Sequence, residues 1–151
     1  MANEIHADYA SGNTLYAVVR NAAGEVWYAA GQIFETWGTD SRDAGDYDIS
    51  LTDKDGSKYV GDFDGNILPG RYSIQVFLQV GANPADGDTL VASDEIVWSG
   101  SGKITAEKLL ANKAVQNKSS GQIQYYDDDG QTVLLTHTPS ENLSSITKTP
   151  E

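Results

Sequence analysis

A ten-residue stretch, Arg71-Tyr72-Ser73-Ile74-Gln75-Val76-Phe77-Leu78-Gln79-Val80, follows the turn signal Leu68-Pro69-Gly70 and alternates polar with apolar side chains. Alternation with a period of two is typical of a β-strand that buries one face. The sequence therefore predicts a central strand at 71–80. We expect five of its side chains to face the core: Tyr72, Ile74, Val76, Leu78 and Val80.

The residues around this strand predict six others, separated by turn-forming clusters at 21–24 and 53–56 and by loops at 38–46 and 81–88. Seven short strands with turn signals about every 8–12 residues favour a β-sandwich of the immunoglobulin or fibronectin type. The other six predicted strands are 15–20, 26–28, 32–34, 47–51, 58–63 and 95–98.

The pattern changes near residue 100. Ser99-Gly100-Ser101-Gly102 has the composition of a linker. The run 104–110 is typical of the start of a short helix with Thr105 as its N-cap. Ile104, just before the cap, is expected to contact Leu109. We expect a sandwich domain at 1–100 and a second segment at 101–151 made of this helix and a β-meander. The meander consists of predicted strands at 122–126, 132–137 and 145–149, a turn at 127–130 and a return across 139–144.

The second segment has too little apolar surface to form a core alone, because isolated ribbons of two or three strands are marginal in water. We therefore expect it to pack on the sandwich or on another chain. The candidate assembly residues are Tyr125, Tyr126, Val133, Leu134 and Leu135.

Composition narrows the classes of function. The chain has no cysteine, which excludes disulfides, thiolate metal sites and cysteine nucleophiles. Residues 1–100 hold 16 acidic and 5 basic side chains, whereas 101–151 hold 6 and 5. An acidic surface repels the phosphate backbone, so no nucleic-acid partner is expected.

No stretch approaches the roughly 18 apolar residues that span a bilayer. Glu4 and Asp8 lie where a signal peptide needs cations. We therefore expect a soluble, unprocessed chain.

No catalytic motif is present. His6 and His137 fall in no metal-ligand or nucleophile pattern, and the chain has no serine motif or phosphate-binding loop. The prediction is a protein that is not an enzyme and needs no cofactor. A glycosidase-like carboxylate pair stays open among the 22 acidic residues.

Three aspartate-rich turns allow two interpretations. Asp53-Lys54-Asp55-Gly56 and Asp62-Phe63-Asp64-Gly65 resemble the start of a calcium loop, but neither has a Glu at the twelfth position, where Asp64 and Ser73 stand. Asp127-Asp128-Asp129-Gly130 is a denser version of the same pattern. Asp-Gly is also the ordinary signal of a hairpin turn, which is the interpretation we favour.

Aromatic residues raise a similar choice. Trp27, Trp37 and Trp98 suit either a sandwich core or a platform on which sugars stack. Trp37 is the candidate ligand contact, because it stands beside Gly38 at the edge of an acidic loop.

Parts of the sequence are similar to a known class of protein. The run 112–118, with Gly121, Tyr125-Tyr126-Asp127-Asp128-Asp129-Gly130 and 132–139, resembles C-terminal segments of tailed-bacteriophage and prophage structural proteins. The stretches 15–21, 69–72 and 75–77 look like the sandwich domain that accompanies such a segment.

This resemblance implies a virion component, made in the host bacterial cytoplasm, present in multiple copies and attached to other virion proteins through one end. It brings no catalytic residues and leaves a capsid decoration, a neck or collar fibre and a tail subunit open. The alternative is a carbohydrate-binding or adhesive sandwich that uses loops 35–46 and 81–88, with a host-surface glycan as its partner.

Overall fold

The computed structural model describes residues 3–142 and 145–150. The chain is mainly β, with several antiparallel sheets, and this architecture is consistent with a β-sandwich. It divides into two compact units, of which the first ends at Val97 and the second begins at Trp98.

The first unit contains nine strands among the described residues, together with a 3-10 turn at Thr39–Ser41 and a short helix, α1 (Ala44–Tyr47). The last strand runs one residue past the division. The strands are β1 (Ile5–Asp8), β2 (Thr14–Arg20), β3 (Val26–Tyr28), β4 (Ile33–Glu35), β5 (Ile49–Ser50), β6 (Thr52–Asp53), β7 (Lys58–Gly61), β8 (Gly70–Gln79) and β9 (Thr89–Trp98).

Strand β2 is the centre of a six-stranded sheet, in which five strands have the order β4-β3-β2-β8-β9 and the sixth, β5, pairs with β2. It pairs with β8 along its whole length, from Thr14 opposite Gln79 to Arg20 opposite Ser73. Its other edge is shared by β3, at Arg20, and β5, at Tyr16 and Ala17. Because it is covered on both faces, all its residues from Leu15 to Val19 are buried.

A second sheet of the first unit has the order β1-β7-β6. Leu51 connects the two sheets: its backbone N–H donates to the Leu15 carbonyl at 3.0 Å, and the next residue, Thr52, pairs with Val60 of β7. The chain thus passes from one sheet to the other within three residues. The buried side chains of this second sheet are Ile5, Ala7, Tyr59 and Val60.

The second unit is a four-stranded antiparallel sheet with a short helix. The Thr105 hydroxyl accepts from the Lys108 N–H at 3.2 Å and begins helix α2 (Ala106–Ala111), as the sequence predicted. The sheet has the order β10-β11-β12-β13. Its strands are β10 (Ala114–Gln116), β11 (Ile123–Tyr126), β12 (Val133–Asn142) and β13 (Ser145–Pro150).

The predicted central strand is confirmed as β8, with one error at its end. Tyr72, Ile74 and Val76 are buried, whereas Leu78 is half-buried and Val80 is 79% exposed. The strand ends at Gln79, because the Val80 N–H turns away to donate to the Asp88 carboxylate.

Two stretches fold more tightly than their composition predicts. The predicted loop at 38–46 contains α1, which the Asp43 and Asp46 carboxylates cap reciprocally, and Tyr47 belongs to that helix and not to a strand. The predicted linker at 99–102 is a tight turn, because the Ser99 hydroxyl accepts from the Gly102 N–H at 3.0 Å. A prediction over 143–144, within the return segment, lies outside the described residues.

Candidate functional site

The first unit contains a groove of about 320 Å³ on the face of the six-stranded sheet. This volume lies at the lower end of the range of small-molecule sites. Two groups of residues line it: Tyr16, Arg20, Gln75 and Phe77 from β2 and β8, and Trp37, Ala85, Asp86 and Leu90 from the flanking segments and β9.

The register of β2 and β8 builds the floor of the groove. Tyr16 lies opposite Phe77, and their rings stack with centroids 5.4 Å apart. Because side chains alternate between faces, Arg20 and Gln75 project on the same side as these two rings. The Arg20 Nε donates to the Gln75 Oε1 at 2.7 Å. An aromatic pair and a fixed guanidinium–amide pair thus lie side by side.

The two loops predicted as candidate ligand loops meet at this groove. The Asp86 carboxylate accepts from the backbone N–H of Ala44 at 2.9 Å, which joins loop 81–88 to the start of α1. The Tyr16 hydroxyl donates to the Ala85 carbonyl at 3.3 Å, and the Asp88 carboxylate accepts from the Ala85 N–H. These hydrogen bonds hold the wall of the groove against its floor.

Trp37, the candidate ligand contact, is half-buried and lines the groove. The Arg20 guanidinium lies over its indole at 5.0 Å from the ring centroid. The ring also packs against Tyr47, with 5.0 Å between centroids. Trp37 therefore anchors its loop to the core while it forms part of the groove wall.

A buried ion pair fixes the loop that carries Trp37. The Glu35 carboxylate is 8% exposed, accepts from the Tyr47 hydroxyl at 2.9 Å and lies 3.3 Å from the Arg42 guanidinium. Burial, followed by the Glu35 carboxylate, raises the pKa of Tyr47. Asp40 and Ser41 have positive φ angles of 53° and 63°, which non-glycine residues rarely adopt. The contacts of Arg42 and Glu35 stabilise this strained conformation.

The floor of the groove lies in a negative electrostatic field. Burial raises the pKa of Tyr16 to about 12, and the carboxylates of Asp88, Asp48 and Asp86 contribute to the increase. Burial also lowers the pKa of Arg20. Three carboxylates therefore act on this site against one guanidinium.

The aspartate-rich turns use their carboxylates to hold the backbone. Asp53 accepts from the N–H groups of Gly12 and Asp55, and the Gly12 bond is the main cause of its lowered pKa. Asp64 accepts from the Asn66 N–H and the Trp27 indole. Within the part of the chain that the structure describes, no group of three or more His, Asp or Glu side chains is placed to hold a metal ion.

No protein-family model matches this chain, and no curated protein or solved structure matches it. Among the residues that the structure describes, no helix is long and apolar enough to cross a membrane.

The five candidate assembly residues lie together on the β11–β12 hairpin. Tyr125 lies opposite Leu135 and Tyr126 opposite Val133, so Leu134 is the extra residue of a β-bulge. Leu134 is 4% exposed and belongs to the interior of the unit. Of the other four, Val133 is 36% exposed and the rest are half-buried. Of the two histidines, His6 is exposed on β1, and His137 contacts Tyr125 with 5.3 Å between ring centroids.

The sequence prediction missed strand β10, which forms an edge of this sheet. The Tyr126 N–H donates to the Lys113 carbonyl at 3.0 Å, and the Asn117 N–H donates to the Gln122 carbonyl at 2.8 Å. Hydrogen-bonded positions alternate along an antiparallel strand, so the backbone groups of Ala114 and Gln116 point away from β11. All three β10 side chains are exposed. The alternation of Lys113 to Gln116 is too short to predict a strand from sequence alone.

Proposed function

We propose that this protein is a non-enzymatic structural subunit of a bacteriophage virion, in which the C-terminal unit attaches to neighbouring subunits and the first unit is displayed as an immunoglobulin- or fibronectin-like sandwich. Its place in the particle is the neck or collar, the tail or the capsid surface. The sequence resemblance supports the virion assignment, and the C-terminal sheet supports the mode of attachment.

The observation that carries the proposal is the scarcity of buried apolar side chains in the second unit. Among the described residues of this unit up to Ser140, Trp98, at the end of β9, and Leu134 are the only buried hydrophobic side chains. Ile123, Tyr125 and Tyr126 are all half-buried. A sheet with so little core gains stability when a partner covers it.

Strand β10 supplies a route to that partner. The outward N–H and C=O groups of Ala114 and Gln116 form an edge to which another strand can add. Charge does not oppose the approach of a second copy, because residues 101–151 hold 6 acidic and 5 basic side chains. The proposed partners are other virion proteins and further copies of this chain.

Light scattering of the full chain tests attachment through β10. Ala114→Pro removes an outward N–H from the edge while leaving the hydrogen bonds to β11 in place, so we expect it to abolish oligomers. The matched control is Ala106→Pro, at the first position of α2, where proline is tolerated. A wild-type chain that is monomeric at every concentration would contradict self-assembly.

Mass spectrometry of purified phage particles from a strain that carries the gene tests the virion assignment. We expect the chain in a fixed ratio to the major capsid or tail protein. Its absence from the particles would show that the assignment is wrong, whatever its oligomeric state.

A second candidate function is favoured by the groove of the first unit. There the loops at 35–46 and 81–88 meet beside the Tyr16–Phe77 stack, with Arg20 and Gln75 as hydrogen-bonding groups. Aromatic rings with a few fixed polar groups suit a small polar ligand such as a sugar. In this view the sandwich is an adhesive module that binds a host-surface glycan.

A further inference from the structure

We infer that the groove selects uncharged saccharides over acidic ones. This inference rests on the second candidate function, saccharide binding by the first unit. It is carried by the arrangement of charges around the aromatic floor.

Arg20 already covers one face of the Trp37 indole. Cations bind aromatic side chains over the ring face, within about 6 Å of the centroid. The Arg20 guanidinium takes that position over Trp37, at 5.0 Å. Arg20 is fixed there by hydrogen bonds to Gln75 and to the Gly24 carbonyl.

An acidic ligand meets repulsion from the other wall. Asp86 lines the groove, and Asp88 is held beside it through its hydrogen bond with the Ala85 N–H. The first unit as a whole holds 16 acidic and 5 basic side chains, so its net charge adds to the repulsion from these two carboxylates. A carboxylate on a sugar would raise the electrostatic energy of the complex.

An uncharged saccharide fits both walls. Its hydroxyl groups both donate and accept hydrogen bonds, and Arg20 and Gln75 provide donors on one side. Asp86 and the Ala85 carbonyl provide acceptors on the other side. The apolar faces of sugar rings suit contact with Phe77 and Leu90, which is 48% exposed. The sugar hydroxyls can then hydrogen-bond to the polar groups of the groove, and the ligand brings no charge of its own into the site.

Isothermal titration of the full chain with matched oligosaccharides tests this inference. The probes are tetrasaccharides of glucose, galactose and mannose, and the corresponding tetramers of glucuronate, galacturonate and mannuronate. We expect at least one neutral tetramer to bind, and its uronate counterpart to bind at least about tenfold more weakly at low salt. The difference in affinity between the neutral tetramer and its uronate counterpart should become smaller at about 0.5 M salt, where charges are screened.

Three variants test whether the saccharide binds in the groove and whether Asp86 causes the weaker binding of acidic sugars. Leu90→Ala should weaken binding of the neutral tetramer, whereas the matched control Leu68→Ala, at a leucine that is 76% exposed outside the groove, should not. Asp86→Asn keeps the oxygen that accepts from Ala44 and should narrow the gap between neutral and acidic sugars. Nuclear magnetic resonance of the Trp37 indole N–H reports occupancy of the groove directly.

Two results would overturn the inference and are distinguishable. Equal or tighter binding of a uronate tetramer would refute the selection of uncharged sugars while leaving saccharide binding in place. No binding by any of the six tetramers at about 10 mM would refute saccharide binding itself, and the inference with it.

Discussion

The two units of this protein bury their side chains to very different extents. The first unit packs a six-stranded sheet whose central strand, β2, is buried from Leu15 to Val19. The second unit pairs four strands with one β-bulge, yet among its described residues up to Ser140 it buries only two hydrophobic side chains, Trp98 and Leu134. Strand pairing therefore does not by itself imply a hydrophobic core. The two units differ in the source of their stability.

Matched isoleucine truncations test this difference most strongly. Ile74→Ala empties a site that is 2% exposed, and we expect it to lower the free energy of unfolding of the first unit by about 2–5 kcal/mol. Ile123→Ala removes a half-buried side chain of β11 and should cost the second unit about 1 kcal/mol or less. Hydrogen exchange resolves the two units separately. Equal losses would mean that the second unit has a core of its own.

Matched acid-to-amide substitutions probe the ion pairs of the two units. Glu35→Gln removes the charge of a carboxylate that is 8% exposed and paired with Arg42, so we expect a loss of about 1–3 kcal/mol. Asp127→Asn removes the charge that pairs with Lys108, in a site about one fifth exposed, and should cost about 0.5–1 kcal/mol.

Urea unfolding measures both losses, with Glu95→Gln as the control for a fully exposed pair. Glu95 is 68% exposed and lies 3.4 Å from Arg71, and its substitution should change stability by less than about 0.5 kcal/mol. A Glu35→Gln variant as stable as this control would show that the buried pair does not hold the Trp37 loop.

Acid titration of the aspartate-rich turns should reveal the smallest effect on stability. It should also show that the two units are alike in one respect, because each has a turn whose aspartate has a lowered pKa. The Thr132 hydroxyl and the N–H groups of Gln131 and Thr132 lower the pKa of Asp129 to about 2. Its pKa in the unfolded chain is about 4, so its contribution to stability is full above pH 4 and is lost as the pH falls towards 2. The backbone N–H of Gly12 lowers the pKa of Asp53 in the same way.

Nuclear magnetic resonance of the side-chain carboxyl carbons measures these titrations. A midpoint for Asp129 near pH 4 would contradict the hydrogen-bonded turn. In Asp129→Asn we expect the amide signals of Gln131 and Thr132 to lose their pH dependence between 4 and 2, because the titrating group is gone.

Local features of the fold follow from the sequence. The period-two pattern predicted β8, Asn21 and Gly24 predicted the turn after β2, and Thr105 predicted the start of α2. Each of these signals acts between residues a few positions apart, so backbone geometry and hydrogen bonding near the residue are sufficient. The short strands β1 and β10 escaped prediction because they lack the adjacent aromatic and β-branched residues that marked β3 and β4.

The groove could be predicted only in part. Its two loops and Trp37 were identified because glycine, proline and aspartate mark loops. The sequence did not predict that Arg20 and Gln75 line the groove, because no residue near either of them in the chain indicates that the two side chains meet. Leu134 was predicted to be an assembly residue beside Leu135, yet a bulge turns it into the interior.

The amino-acid sequence alone determined the strands β2 and β8, the turn after β2 and the acidic charge of the first unit, because these depend on residue type and on short-range spacing. The tertiary structure alone decided that Arg20 meets Gln75 and that Asp86 joins Ala44, 42 residues away. Such contacts depend on strand register and on how the loops close over the sheet. Register is set by the packing of whole faces against one another, which no local pattern specifies.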